Sequence, residues 1–382
     1  MEHISEILEI IDAGLRGEKQ KLINYSQFLA EKLEKEGQKE LSNIITKTVA
    51  RNLNSSNMQP RDLIVPKSLV DSESNLPLAE MKSYNLNDVD MVLNDDSSQY
   101  VEEFITLINK KDKLLEENIR AYKTLLLYGP PGTGKSQTAK YISAKTNLPL
   151  LTFRIEGVIS SYLGSTSKNI KNLFDFVKNT PCILFLDEFD AIAKARDDVN
   201  ELGELKRVVN TLLQNIDDIK GKVPIIAATN HEKILDSAVW RRFDYKLFLG
   251  LPGIEQRNLL IKSFLGDNLV QDKMIKILSY LAENMSGADI EILIESIKTH
   301  IAINSIKVIT DKSLFDLFIK YKYSTTEKDD RHKIEILEQA RKENRKLFDY
   351  STLSKLLGLS VGTVFNKINK RHGTKLITKS TN

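Results

Sequence analysis

Several things that often announce a function are scarce in this 382-residue chain. It has a single cysteine, Cys182, which excludes an internal disulfide framework and a zinc cluster built on cysteines. Cys182 lies in the apolar run CILFL, so its thiol reads as buried and inert. Charge of one sign is also missing. The formal net charge is +3, so the chain as a whole does not point to a nucleic-acid or membrane partner. No apolar run approaches the roughly 20 residues that span a bilayer. The first ten residues, MEHISEILEI, lack the basic and long apolar regions of a secretory signal. These absences lead to the expectation of a soluble cytoplasmic protein with no membrane partner. What is present supports a substantial core: 41% of the residues are hydrophobic. At roughly 100–200 residues per domain, the length suggests two or three domains.

The most informative stretch is TLLLYGPPGTGKSQTAK, from Thr124 to Lys140. Leu125, Leu126, Leu127 and Tyr128 suit a buried strand. Gly129, Pro130, Pro131, Gly132, Thr133, Gly134, Lys135 and Ser136 then fit G-x-x-x-x-G-K-[ST], and a helix carrying Ala139, Tyr141 and Ile142 can start at once. Glycines let backbone N–H groups turn inward around phosphates, and a helix N-terminus adds positive potential. Lys135 can reach the outer phosphates of a nucleotide, and the Ser136 hydroxyl can hold Mg²⁺. An ordinary Gly-rich turn is the alternative; the strand before and the helix after favour nucleotide binding.

Around this unit the chain falls into five segments. Residues 1–50 carry helical stripes, Ile4/Ile7/Leu8/Ile11, then Leu22/Tyr25/Phe28/Leu29/Leu33, then Leu41/Ile44/Ile45/Val49. A small bundle would bury these stripes against each other, as a packing module or a docking adaptor. Residues 51–100 read as a polar linker and irregular structure with a strand or two. Residues 101–250 alternate apolar strands (148–153, 182–186, 223–229, 246–249) with helices (168–178, 204–216). That alternation predicts an α/β fold: a doubly wound parallel sheet with helices on both faces. Residues 251–325 turn helical and form a helical subdomain after the α/β domain, and 326–382 form a C-terminal helical module.

Two acids, Asp187 and Glu188, end the apolar run ILFL. Such a pair is costly unless it works at an exposed strand tip. There Asp187 would complete a Mg²⁺ shell, mostly through water, and Glu188 would act as general base on the attacking water. A pair of solvated acids opening a turn is the bland alternative. Asn230 ends the next strand, where its amide can hold that water or sense a γ-phosphate, or simply cap a helix. Arg241 and Arg242 are either a solvated face or, in a ring, groups that reach a neighbour's γ-phosphate.

Residues from about 120 to 300 resemble a AAA-family ATPase of the single-ring kind. The matches are GPPGTGKS (129–136), ILFLDEFD (183–190), AATN (227–230), LDSAVWRRFD (235–244) and MSGADIE (285–291), in the family's order. The resemblance implies a P-loop NTPase fold with a helical lid, and a hexameric homo-oligomer that uses ATP and Mg²⁺ at subunit interfaces. It implies Asn230 as γ-phosphate sensor, Arg241 and Arg242 as arginine fingers, and Gly287 and Ala288 as lid residues over the nucleotide. The short spacing around RRFD is similar to that of microtubule-severing and ESCRT-disassembling ATPases, although Trp240 stands where those relatives often have another arginine. Tyr162, Leu163 and Gly164 resemble the family's aromatic–apolar–Gly pore loop, which grips a protein substrate; a tyrosine buried between helix and strand is the alternative. Arg196, Asp197 and Asp198 fall at the second pore-loop position, where a plain surface loop is an equal reading. Residues 154–177 and 203–217 are similar to bacterial single-AAA-domain proteins, some of which accompany a subtilisin-like protease in phage defence.

Outside that resemblance, Tyr350 to Ile368 resembles a helix-turn-helix, with Ser354 at the helix crossing and Gly358 at the turn. From Tyr350 onward there are six Lys/Arg and no Asp or Glu. This suits a DNA backbone, with Gly362, Thr363 and Asn366 on the recognition helix; protein docking is the alternative. Three functions follow as expectations: a ring ATPase that remodels proteins through a pore, a DNA-associated ATPase, and a nucleotide-gated ring that activates a partner effector.

Overall fold

The computed structural model describes residues 3–53, 79–119, 122–154, 166–191, 204–266, 270–306, 308–323 and 330–368. The chain divides into two units: Met1–Met91 with Asp95–Gly250, and Val92–Asn94 with Leu251–Asn382.

The first unit is built on six strands, β1 (Ala79–Lys82), β2 (Thr124–Tyr128), β3 (Leu150–Arg154), β4 (Ile183–Asp187), β5 (Ile225–Thr229) and β6 (Tyr245–Phe248). Their order is β1-β3-β4-β5-β2-β6. The last five run parallel. Only β1 runs antiparallel, at the edge of the sheet, with Ala79 facing Phe153 of β3. It comes from the segment read as mostly irregular, so the predicted parallel sheet gains an antiparallel edge. The central strands are apolar throughout because both faces are covered. Leu126, Leu184, Leu186, Ile225 and Ala227 share a core with α7 (Thr166–Lys178) and α8 (Glu204–Ile219). Ile170, Leu173, Phe174 and Val177 of α7 are all buried, as helical spacing predicts. The alternate residues Leu125, Leu127, Phe185 and Ile226 are equally buried, on the face covered by α6 (Lys135–Thr146), which in turn packs on α4 (Asp95–Asn109).

The N-terminal helices depart from expectation. They are α1 (Ile4–Arg16), α2 (Lys19–Lys35) and α3 (Lys39–Leu53), with α5 (Lys111–Glu116) beside α1. Both α1 and α3 pack on α2. The α1 stripe that was to be buried is instead turned outward: Ile7, Leu8 and Ile11 are exposed, and Ser5, Glu6 and Ala13 are buried. Leu41 and Ile44 of α3 are exposed as well. The reason is a polar anchor. Glu6 accepts hydrogen bonds from Lys32 of α2 at 3.3 Å and Lys111 of α5 at 3.1 Å, which sets the rotation of α1. Next to it, Asn24 Nδ2 donates to the Asn179 carbonyl (3.1 Å) and to Thr180 Oγ1 (3.2 Å), just before β4. The helices therefore dock at the N-terminal end of the strands. Burial pushes the Cys182 thiol there up to about 12, so it stays protonated.

The second unit is all helical: α10 (Ile254–Leu265), α11 (Asp272–Leu281), α12 (Gly287–Ile303), α13 (Asp311–Tyr323), α14 (Asp330–Glu343), α15 (Tyr350–Leu357) and α16 over 361–368. Ile261, Leu278, Ile294 and Phe318 share one core with Phe348, Leu353, Leu356, Val364 and Ile368. The C-terminal helices, read as a module of their own from residue 326, are thus built into the same core as the lid helices.

Candidate nucleotide site

The site sits at the C-terminal ends of the parallel strands, where open α/β sheets bind ligands. β2 lies between β5 and β6, and the loop that leaves it turns tightly into α6. Gly129 has φ 138° and lies so close to Leu249 that a Cβ would stand 2.2 Å from the Leu249 carbonyl oxygen; only glycine fits. Gly134, with φ 92°, makes the second turn and opens α6, where its carbonyl accepts from the Thr138 N–H (2.8 Å) and Oγ1 (3.0 Å). Thr133 Oγ1 donates to the Pro130 carbonyl at 2.9 Å. Gly132 also has a positive φ, 72°, and Pro131 lies between these turns.

Lys135, the first residue of α6, is 7% exposed. Its Nζ donates to the carbonyls of Gly129 (2.9 Å) and Pro130 (2.7 Å). Burial pulls its ammonium down to about 8, against the opposing pull of Asp187, Glu232 and Asp190. An anion placed in the loop would restore that charge.

Two strands away, β4 delivers the acids. Ser136 Oγ donates to Asp187 Oδ2 at 3.4 Å, so a hydroxyl and a carboxylate from opposite sides of the site converge. Asp187 Oδ1 accepts the Glu188 N–H at 3.0 Å. Glu188 has φ 54°, a left-handed conformation that is unfavourable for a non-glycine residue and is retained chiefly where function uses it. Sequence reasoning passed over the two residues that hold this turn. The Phe189 N–H donates to the Ala228 carbonyl at 2.8 Å, and its ring meets Phe243 edge-on at 5.5 Å. Asp190 accepts from Thr229 Oγ1 at 3.2 Å, and Thr229 Oγ1 accepts from the His231 N–H at 3.0 Å. These bonds flank Asn230, which follows β5 between the tips of β4 and β2. The signal was in the sequence: Phe189 and Asp190 complete the run ILFLDEFD.

The two arginines are not equivalent. They follow a short helix, α9 (Ser237–Trp240), capped by Asp236. Arg241 is exposed, its Nε donating only locally, to the Ser237 carbonyl at 3.2 Å. Arg242 is tied down by Asp217 of α8 through Nε (3.1 Å) and Nη2 (3.0 Å), and by the Ala238 carbonyl through Nη1 (2.8 Å). Asp244 accepts from Lys220 at 2.9 Å and from the N–H and Oγ1 of Thr124, each at 3.1 Å. Burial alone would raise its pKa, but these donors outweigh it and hold the carboxyl below its usual range. Trp240 stacks edge-on against Tyr128 at 5.1 Å.

Gly287 and Ala288 open α12 in the second unit, behind a capping box in which Ser286 and Asp289 bond each other's backbone N–H. Tyr162, Leu163, Gly164, Arg196, Asp197 and Asp198 lie outside the described residues. Among the described residues there is no cluster of three or more His, Cys, Asp or Glu side chains placed to hold a metal. The Ser136–Asp187 pair suits Mg²⁺, which keeps several waters and takes few protein oxygens.

The sequence signature of the "ATPase family associated with various cellular activities (AAA)" matches residues 125–251. The "Uncharacterized AAA family ATPase y4kL" of Sinorhizobium fredii (strain NBRC 101917 / NGR234) is 35% identical over 228 residues, covering 59% of this chain and 68% of the relative. The chain belongs to the AAA family of ATPases. It is an ATP hydrolase with the P-loop α/β fold. Two further relatives are similar over about half of the chain. "Protein SUPPRESSOR OF K(+) TRANSPORT GROWTH DEFECT 1" of Arabidopsis thaliana is 31% identical, covering 53% of this chain and 48% of the relative. The "Proteasome-activating nucleotidase" of Methanococcus maripaludis (strain C7 / ATCC BAA-1331) is 35% identical, covering 50% and 49%. The chain thus spans about half the length of these two relatives.

Proposed function

We propose that this AAA ATPase works as a cytoplasmic, Mg²⁺-dependent hexameric ring that hydrolyses ATP between subunits and remodels a protein drawn into its pore. The observation that carries the reading is a division of labour: the loop, the Ser136 hydroxyl and the Asp187 carboxylate converge within one chain, while Arg241 stands exposed with only a local backbone partner, free to serve another chain. The backbone of residues 129–134 would cradle the phosphates, and Lys135 would neutralise the outer ones. Ser136 and Asp187 would hold Mg²⁺, which supplies charge neutralisation on the phosphate oxygens. The Glu188 carboxylate would orient the attacking water and accept its proton. Asn230, fixed between Thr229 and His231, would sense the γ-phosphate. Arg241 would place its guanidinium on a neighbouring chain's phosphates, with Arg242 holding the loop that presents it. Gly287 and Ala288 would close the lid, and Tyr162, Leu163 and Gly164 would grip the polypeptide. A relative whose name records activation of the proteasome supports action on a protein partner. The test is ATP turnover with and without a permanently unfolded polypeptide, carboxymethylated lactalbumin. Stimulation that disappears in Tyr162→Ala supports threading; equal stimulation in the variant contradicts it.

A second reading, action on DNA, is favoured by the C-terminal geometry. Gly358, with φ 64°, ends α15, and α16 buries only Val364 and Ile368 while exposing Gly362, Thr363, Asn366 and Lys367. A recognition helix would need such an exposed polar face. Binding of duplex DNA that weakens steeply with salt and is lost in Lys367→Glu would support it. Binding that ignores salt or the substitution would contradict it.

A further inference from the structure

The outward face of α1 is used by neither the nucleotide site nor the core. Ile7, Leu8, Ile11 and Leu15 are 44%, 55%, 51% and 85% exposed. A surface helix ordinarily turns such a stripe inward. Here the polar side is held inward instead, by a carboxylate, Glu6, that is 1% exposed and bonded to Lys32, Lys111 and Ser5. Rotating α1 to bury its leucines would strand those two lysines, so the outward stripe is fixed by the fold.

We infer that this stripe is a contact between two copies of the chain, α1 packing antiparallel against the partner subunit's α1. Half-buried Ile4 continues the row, and Ile4, Leu8, Ile11 and Leu15 are spaced four, three and four residues apart, the seam of two coiled-coil heptads. That spacing reads the same in both directions. An antiparallel copy therefore sets Leu8 against Ile11 of the partner subunit, and Ile4 against Leu15 of the partner subunit. No charged residue interrupts the stripe, so like meets like without repulsion. The charges beside it are closed within the chain, Glu9 on Lys21 at 2.7 Å and Asp12 on Arg16 at 2.9 Å, so the stripe has a balanced rim that meets a second copy without net repulsion and offers no surplus of cations to an anionic lipid surface or a nucleic acid. The exposed stripe of Ile7, Leu8, Ile11 and Leu15 supplies only about half of the about 800 Å² per partner in standard stable interfaces. The dimer is accordingly weak and concentration-dependent.

Sedimentation velocity on the full chain without nucleotide, in an Arg241→Ala background so that ring assembly does not contribute, reads the dimer directly. A monomer–dimer equilibrium in the micromolar range is expected, with Leu8→Glu plus Ile11→Glu weakening it at least about tenfold. Cysteine pairing fixes the geometry, because the native Cys182 is buried. A mixture of Leu8→Cys and Ile11→Cys chains should cross-link with each other faster than either does with itself. A chain that stays monomeric at about 100 µM, a dimer indifferent to the double charge substitution, or equal self-cross-linking overturns the inference. So does a stripe-dependent shift with anionic vesicles in place of self-association.

Discussion

The two ends of the central sheet handle polar groups in opposite ways. At the N-terminal end, each named polar group is closed on a protein partner: Glu6 on two lysines, Asn24 on a carbonyl and a hydroxyl. At the C-terminal end the backbone takes conformations that ordinary residues avoid, Glu188 at φ 54° and Gly129 at φ 138°, and the Ser136 hydroxyl and Asp187 carboxylate converge there. One end uses its charges to position helices; the other, on the function proposed above, holds Glu188 in a costly conformation to aim it at a ligand. A charge at the first end should matter for stability and hardly for turnover, and the reverse should hold at the second.

The largest contrast is expected from Glu188→Gln. Turnover, followed by phosphate release, should fall by about 100- to 10,000-fold, while nucleotide binding persists, seen as thermal stabilisation by ATP. Retained turnover would remove Glu188 from the role of base. The matching change at the other end is Glu6→Gln, which leaves Lys32 and Lys111 facing a neutral group. It should lower unfolding stability by about 3 kcal/mol in denaturant titrations, with turnover per folded chain unchanged. The same contact sets an acid limit. Burial would raise the Glu6 pKa, but Lys111 and Lys32 lower it from 4.5 to about 2. Its stabilisation is therefore complete above 4.5 and is lost as pH falls from 4.5 toward 2.

A smaller effect concerns Lys135. Its pKa near 8 reflects burial, and phosphates would raise it again, so binding takes up a proton above pH 8. Affinity for a fluorescent ATP analogue should be flat below pH 8. Above it, affinity should fall by up to about tenfold per pH unit toward 10.5. In the empty protein the sign is opposite: this lysine's contribution to stability improves as pH rises from 8 to 10.5. The smallest effect separates the arginines. Arg242→Ala should cost up to about 1 kcal/mol through the partly exposed Asp217 pair, and Arg241→Ala less than about 0.5 kcal/mol, both measurable by denaturant midpoints.

The sheet was legible because both its faces are buried: runs such as LLL at 125–127 and ILFL at 183–186 admit little but central strands. The phosphate loop was legible because its glycines answer a backbone demand that no other residue meets. Helix α1 was misread because periodicity reports that a face is apolar, not which way it turns. The direction is set by Glu6 meeting Lys111, 105 residues later, a long-range contact that no local pattern carries. The unequal arginines were hidden for the same reason, since Asp217 lies on a different helix. The shared core of the lid and C-terminal helices was hidden too, because similar stripes on successive helices do not reveal which of them pack together.

The account's central claim is that each triphosphate is handled by two chains. The most direct measurement mixes a Lys135→Ala chain with an Arg241→Ala chain and follows phosphate release. Each alone should be nearly inactive, and the mixture should turn over ATP well above their sum, because some interfaces then join an intact loop to an intact guanidinium. A mixture no faster than its parts, or an Arg241→Ala chain as fast as the unaltered protein, would contradict it.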